Sequence, residues 1–391
     1  FQGGAAGLLS YELGGAWERL PRPAIDEFEL PWLAVGLYDW VIAWDHELGT
    51  AWIISHGFPA EGEMRFRQAF NRMQTVLCRL NDVEQFAKPA SATRKRESDS
   101  LAAPFQRSPF EPDQFHRTAY GGSSNFTRDE YLSAVERVIE YIRAGDIFQA
   151  NLSQRLLFPV IEDSLSLYLR LRQRNPAPFA GYFAHDDWAI ASASPERFVR
   201  VCDGDVETRP IKGTRRRRHR PEADLFTEDE LRESEKDQAE NVMIVDLLRN
   251  DLSKVCAPGS VRVPVLCGLE SYANVHHLVS VVTGELAAGR TAGELVAAAF
   301  PGGSITGAPK VRAMEIIGEI EQAPRGVYCG SIGYFGFNGH CDLNIAIRTA
   351  QFAGGTARVQ GGGGITARSE PSAEYDESVT KIARVMEAFA P

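Results

Sequence analysis

Hydrophobic and polar positions change period several times along the chain, and each change marks an element. Tyr131, Val135, Val138, Ile139 and Ile142 fall on one helical face, with a Thr127/Glu130 capping pair at its start and Gly145 at its end. Residues 147–156 then read as a strand with Gln149, Asn151 and Ser153 on one side. A polar row of that kind ordinarily faces water; the alternative is that it lines a pocket. Upstream, residues 33–44 and 51–56 are aromatic strand-like runs, and residues 65–80 read as a helix. Downstream, helices are predicted over 228–248, 292–299, 309–319 and 372–388, among strand-like runs at 330–337, 343–351 and 356–360. Strands that arrive in runs, without strict alternation with helices, point to the α+β class.

Residues 87–119 carry no period and are rich in Ser, Ala, Pro and Arg, which predicts a linker or surface excursion. It would divide an N-terminal subdomain, 1–86, from a larger domain, 120–391. The 391 residues, 44% hydrophobic and 24% charged, suit a soluble globular protein with a large core. A net charge of −10 argues against a nucleic-acid-binding surface. The run Arg215 to Arg218 is balanced by Glu222, Asp224, Glu228, Glu230 and Glu233, so it reads as a solvated loop. Six scattered cysteines without a CxxC pair suggest reduced thiols in the cytoplasm and speak against a zinc cluster or disulfide framework. No apolar run reaches the roughly 18–20 residues of a membrane span. No signal peptide is visible, and the start at Phe1 without a methionine implies that residues before it are missing.

Candidate chemistry sits in several places. Asp237 and Glu240, and likewise Glu374 and Glu377, are three apart on predicted helices and so share a face. Carboxylates of this kind are ordinarily solvated, but across a cleft they would suit magnesium, which takes oxygens at about 2.1 Å. The glycine-rich loop 302–309 enters a helix, where free N–H groups and Lys310 would attract an anion; a structural turn is the alternative. It is no Walker loop, because Ala308 follows Gly307 where that motif needs lysine. Gly361 to Gly364 would let a ligand approach the backbone closely, or would form a flexible turn. Arg348, flanked by apolar residues in a predicted strand, needs a partner, and a carboxylate ligand is one option. His276 and His277 are strand neighbours, so at most one enters a site. Lys212, between Ile211 and Gly213, reads by itself as an exposed charge.

Taken together, residues 146–155, 194–198, 209–214, 239–251, 275–280, 300–315, 328–349 and 360–365 resemble the chorismate-utilising enzymes. The resemblance implies the anthranilate synthase component I-like fold, a four-layer α/β/β/α sandwich with two packed antiparallel-rich sheets. It implies magnesium-dependent replacement or removal of substituents on chorismate, with Glu240 and Glu377 as Mg2+ ligands and Asp237 and Glu374 in support. Arg348, Tyr328, Gly362 and Gly364 would cradle the enolpyruvyl carboxylate, while His277 and Ser304 would touch the ring. Glu196 matches the general acid that assists loss of the C4 hydroxyl. Gln149, Thr214 and Lys310 fall inside matched segments and count among the expected substrate-binding residues.

Two positions separate the branches of that family. Isochorismate and salicylate synthases hold a lysine base where this chain has Gln149. Anthranilate synthases hold alanine where it has Lys212; aminodeoxychorismate synthases hold lysine there, as a nucleophile toward C2 of chorismate. The resemblance therefore points to the aminodeoxychorismate branch, with an anthranilate synthase or a non-catalytic amino-acid-binding protein of this fold as alternatives. No cysteine nucleophile elbow with a downstream His-x-Glu is visible, so ammonia would come from a glutamine amidotransferase partner. A lysine of ordinary pKa about 10.4 attacks only as the free amine, so the site must release its proton.

Overall fold

Runs rich in β-branched and aromatic residues pair into two large antiparallel sheets. The computed structural model describes residues 1–389 apart from 22, 24–25, 83–114, 119–121, 161, 219 and 273–274. The nine-stranded sheet runs Ile211–Arg216, Val275–Glu285, Asp205–Arg209, Arg197–Cys202, Cys341–Asn344, Ser331–Gly336, Gly4–Leu9, Leu33–Tyr38, with Arg262–Ser271 also on Val275–Glu285. The eight-stranded sheet runs His116–Arg117, Ser123–Ser124, Gln149–Pro159, Thr356–Ile365, Thr349–Ala353, Trp188–Ser194, Phe179–Ala184, with Gly307–Ala308 also on Gln149–Pro159. Gly4–Leu9 thus lies inside the main sheet, between Ser331–Gly336 and Leu33–Tyr38. Most of the expected linker falls outside the described residues, and its end, His116–Arg117, is a short strand.

Four apolar clusters give the layers. Leu8, Leu157, Ile190 and Ala346 pack between the sheets. Helices Glu235–Ser253 and Ala292–Ala299 cover the outer face of the nine-stranded sheet through Ile244, Leu248 and Leu295. Helices Ser164–Arg174 and Pro371–Met386 cover the other sheet through Leu167, Leu171, Ile382 and Val385. This is the α/β/β/α order expected from the resemblance. Among the described residues no helix is long and apolar enough to cross a membrane.

Local signals explain most boundaries. Thr127 Oγ1 accepts from the Glu130 N–H, the Glu130 carboxylate accepts from the Thr127 N–H, and Gly145 closes the helix at φ 86°. The run expected over 33–44 divides into Leu33–Tyr38 and Trp40–Asp45, which lie in different sheets, and two further expectations change. The helix expected over 228–248 is two, Pro221–Glu233 and Glu235–Ser253, because Ser234 leaves the helical conformation and caps the second through the Asp237 N–H. The strand expected over 343–351 also breaks: Cys341–Asn344 belongs to one sheet and Thr349–Ala353 to the other, with Arg348 at φ 51° in the crossing.

The polar row of Gln149, Asn151 and Ser153 does not face water; all three are buried. Their strand rests on a buried ion pair. Glu321 Oε1 accepts from the Ser153 N–H at 2.8 Å and its hydroxyl at 2.9 Å. Arg325 bonds Glu321 and donates to the carbonyls of Asn151 and Ile305. The Tyr11 ring stacks on Arg325 at 4.7 Å, and the Glu12 carboxylate accepts from the Arg325 and Gly326 N–H groups. One pair therefore joins the first turn of the chain, a central strand and the loop ahead of helix Lys310–Glu321. Glu321→Ala strands the guanidinium without its partner and is expected to cost about 3–5 kcal/mol in urea unfolding; a loss below about 1 kcal/mol would show that the pair does not hold these elements.

Candidate active site

Lys212 is brought inward by local backbone geometry. Its strand, Ile211–Arg216, shifts register beside Gly213, which adopts φ 85°. A side chain at 213 would press within about 3 Å of Leu231 and Asp237, so both helices of the 221–253 pair seat directly on this backbone. The result places Lys212 Nζ 3.9 Å from Glu240 Oε2, with the two side chains only 12% and 13% exposed. Read alone as an exposed charge, Lys212 is instead enclosed.

The glycine run forms the opposite wall. Gly361 to Gly364 lie inside strand Thr356–Ile365 and are no flexible turn. A Cβ at Gly364 would stand 2.0 Å from Gln149 Nε2 and 3.1 Å from Lys212 Nζ. One at Gly363 would stand 2.9 Å from Glu374 Oε2 and 3.6 Å from Glu377 Oε1. Bare backbone thus lets Lys212 of one sheet meet Gln149 of the other, beside the carboxylates of the last helix. Gln149 Oε1 is buried without a hydrogen-bond partner.

Glu196 and Arg348 both lie where the chain passes between sheets. Glu196 links Trp188–Ser194 to Arg197–Cys202, and Arg348 ends the passage from Cys341–Asn344 to Thr349–Ala353. Ser304 Oγ–H donates to Glu196 Oε1 at 2.7 Å. Burial pushes the Glu196 carboxyl up to about 7, with Ser304, Lys212 and Arg348 opposing. Burial pulls Arg348 down to about 10, Arg384 adding and Glu196 opposing. Its guanidinium donates no hydrogen bond to a described residue. His277 shares a 2.8 Å hydrogen bond with Thr214 Oγ1, and burial, then Arg348, lowers it to about 4, so the ring is neutral. His276 points the other way, Nε2 to Asp224 at 2.9 Å and Nδ1 to Ser271 at 2.8 Å, as strand alternation requires.

The four carboxylates suit a hard cation. Burial raises the Glu240 carboxyl, Lys212 opposing and Asp237 and Glu374 adding, and Glu240 makes no hydrogen bond among the described residues. Burial also pushes up on Glu377, but Lys381 at 2.6 Å outweighs it and holds the carboxyl low. Glu374 Oε1 accepts from Ser369, leaving Oε2 above Gly363. Asp237 turns to Arg215 at 3.2 Å and so supports the others. Magnesium needs only one or two carboxylates, with waters and substrate oxygens completing its shell, and among the described residues no three of these four bring oxygens within 4.8 Å of one another.

Two expected residues are engaged within the fold. Lys310 Nζ donates to Asp251 Oδ2 and to the Ala299 carbonyl, each at 2.6 Å, which joins three helix ends and leaves no free cation for a ligand. Tyr328 packs within the core with Leu9, Phe300 and Ile305, 5.9 Å from Arg325. The loop 302–309 is accordingly a structural turn that delivers Ser304 to Glu196. The Glu321–Arg325 pair escaped the sequence reading, because an i, i+4 ion pair looks the same whether buried or solvated.

The family profile described as chorismate binding enzyme matches residues 2–387. Aminodeoxychorismate synthase component 1 of Klebsiella aerogenes is 42% identical over 99% of this chain and 77% of its own length. Anthranilate synthase component 1 of Mycobacterium tuberculosis is 39% identical over 99% of this chain and 73% of its own. The crystal structure of anthranilate synthase component I from Streptococcus pneumoniae superimposes with a TM-score of 0.80 at 30% identity, covering 98% of this chain and 80% of that one. The Glu196 environment is directly measurable: an NMR titration of its carboxyl is expected to have a midpoint near 7. Ser304→Ala, by removing a bond to the ionised form, should move the midpoint higher. A wild-type midpoint near 4.5 would contradict the buried setting.

Proposed function

The chain belongs to the chorismate-binding enzymes, and on that premise we propose that it is an aminodeoxychorismate synthase component, converting chorismate and ammonia to 4-amino-4-deoxychorismate on the way to 4-aminobenzoate and folate. The observation that carries the reading is Lys212, enclosed between Glu240 and the glycine wall. Similarity over the whole chain does not choose between the branches, since the two kinds of relative stand at 42% and 39% identity. A lysine at this position does choose, because the anthranilate branch has alanine.

The residues divide the work by charge. Arg348, buried and without a described hydrogen-bond partner, suits the enolpyruvyl carboxylate, and the Gly362–Gly364 backbone lets that group approach. Tyr328 joins this cradle on the resemblance alone. Neutral His277, held by Thr214, and Ser304 meet the ring. Bound at Glu240 and Glu377, with Asp237 and Glu374 in support, magnesium would hold the ring carboxylate and offset the negative charge facing Lys212.

Lys212 Nζ, as the free amine, attacks C2; both conjugated ring double bonds shift, and the C4 hydroxyl leaves as water with a proton from Glu196. Ammonia then attacks C4, the shift reverses and releases Lys212, and the added nitrogen returns one proton to Glu196, so the sum is chorismate plus ammonia giving the amine and water. Dividing the substitution in this way replaces one hard step with two easier ones. Gln149 offers no base to activate water at C2, which disfavours an isochorismate outcome. Ammonia would come from a glutamine amidotransferase partner, and the six free cysteines suit a reducing cytoplasm.

Incubation with chorismate, magnesium and ammonium should give 4-amino-4-deoxychorismate, and Lys212→Ala should abolish its formation. A fluorescent product with released pyruvate would reassign the chain to the anthranilate branch. The pH profile carries a second check. Since Glu196 keeps its proton up to about pH 7, the rate should fall as pH rises through that value. Glu196→Gln should slow the reaction about 10²–10⁴-fold and remove that limb; a wild-type limb that persists in the variant would assign the acid elsewhere.

A further inference from the structure

Two tight turns lie side by side at one end of the nine-stranded sheet, away from the residues assigned to chorismate. In the first, Asp203 and Gly204 both have positive φ, 52° and 89°, as a two-residue hairpin turn between Arg197–Cys202 and Asp205–Arg209 requires. In the second, Asn338 and Gly339 link Ser331–Gly336 to Cys341–Asn344, with Gly339 at φ 82°. The register that pairs Val201 with Cys341 sets Cys202 beside His340.

Their donor atoms converge. Cys202 Sγ is 3.7 Å from His340 Nε2 and 3.7 Å from Asp203 Oδ2, while His340 Nε2 is 3.0 Å from Asp203 Oδ1. Zinc bound tetrahedrally by sulfur at about 2.3 Å and by nitrogen and oxygen at about 2.0 Å has ligand–ligand edges of roughly 3.3–3.6 Å. The Cys202–His340 distance of 3.7 Å is close to that range, the two Asp203 distances are to different carboxylate oxygens, and one donor atom from each of the three residues lies within 4.8 Å of the other two. His340 Nδ1 accepts from Asn338 Nδ2–H at 3.0 Å, Asn338 Oδ1 taking the His340 N–H, so Nε2 carries the ring proton toward Asp203, and a cation bound there must move that proton to Nδ1 and turn the Asn338 amide over. The His340 contact holds the Asp203 carboxyl below its ordinary range.

We propose that Cys202, Asp203 and His340 form a three-ligand surface site for a zinc-class divalent cation, with solvent completing the tetrahedron. A thiolate and an imidazole select zinc or cobalt over magnesium, so this site is chemically separate from the carboxylates around Glu240. Asp203, with its side chain 85% exposed, leaves the fourth position open to water. The other group of close donors, Asp224, Glu228 and His276, cannot do the same. There the two ring nitrogens of His276 face different carboxylates, Nε2 toward Asp224 and Nδ1 toward Glu228, so the three cannot surround one ion.

Cobalt reports such a site without reference to catalysis. Titration of the full chain with Co2+ should produce a thiolate-to-cobalt charge-transfer band saturating at one equivalent, and added Zn2+ should bleach it. The band should vanish in Cys202→Ser and in His340→Ala, with circular dichroism unchanged, and should survive in Cys78→Ser and in Cys267→Ser, which remove the exposed and the other half-buried thiol. No band in the wild-type chain, or a band that persists in folded Cys202→Ser, would overturn the proposal.

Discussion

The site depends on four consecutive residues that have no side chains. Gly361 to Gly364 run through a central strand, and each has a neighbour pressed against the place where a Cβ would stand: Ile382, the Leu152 carbonyl, Glu374 and Gln149 in turn. Without that thinning, the amide of Gln149 and the ammonium of Lys212 would be held apart, and the last helix could not lower its carboxylates toward them. Packing and chemistry are therefore one constraint here. The close approach that joins the sheets also assembles the charged groups.

Those charges are arranged so that the protein does not neutralise all of them itself. Glu321 and Arg325 satisfy each other and three backbone elements, a closed network whose role is to hold the loop and strand in place. Lys310 and Asp251 do the same for three helix ends. In the site the pattern is the opposite. Arg348 and Glu240 are partly or largely buried yet lack hydrogen bonds to described residues, and Gln149 Oε1 is unpartnered. Burial of such groups costs free energy unless something binds them. A ligand with two carboxylates, accompanied by a cation, supplies the missing partners in kind.

Much of this architecture was legible in the sequence. The capping box at Thr127, the helix 292–299 and the runs of strands follow from local chemistry, and so did the prediction that only one of His276 and His277 enters the site. The polar row at Gln149 was readable as a row, but its burial was not. What covers it is Glu321, 168 residues away from Ser153. Lys212 illustrates the same limit from another side. Its own neighbours suggest a solvent-exposed charge, and only the resemblance of the surrounding motifs anticipated its enclosure. Lys310 shows how a good local argument fails. A lysine at a helix start does attract anions, and here the anion is Asp251. The break at 345–348 was hidden because alternation continues across it while the chain changes sheets.

That change of sheets has a mechanical meaning. The chain crosses the gap twice within a short distance, at Glu196 and at 345–348, and the crossings are laced together: the Ile345 N–H donates to the Glu196 carbonyl and the Ala193 N–H to that of Arg348. Glu196 and Arg348, the proposed proton donor and carboxylate anchor, are thus riveted to a common seam, and their spacing resists any parting of the layers. Lys212 stands on a strand paired on one side only, with Val275–Glu285 among the described strands. Replacing Lys212 therefore leaves untouched the seam that holds Glu196 and Arg348.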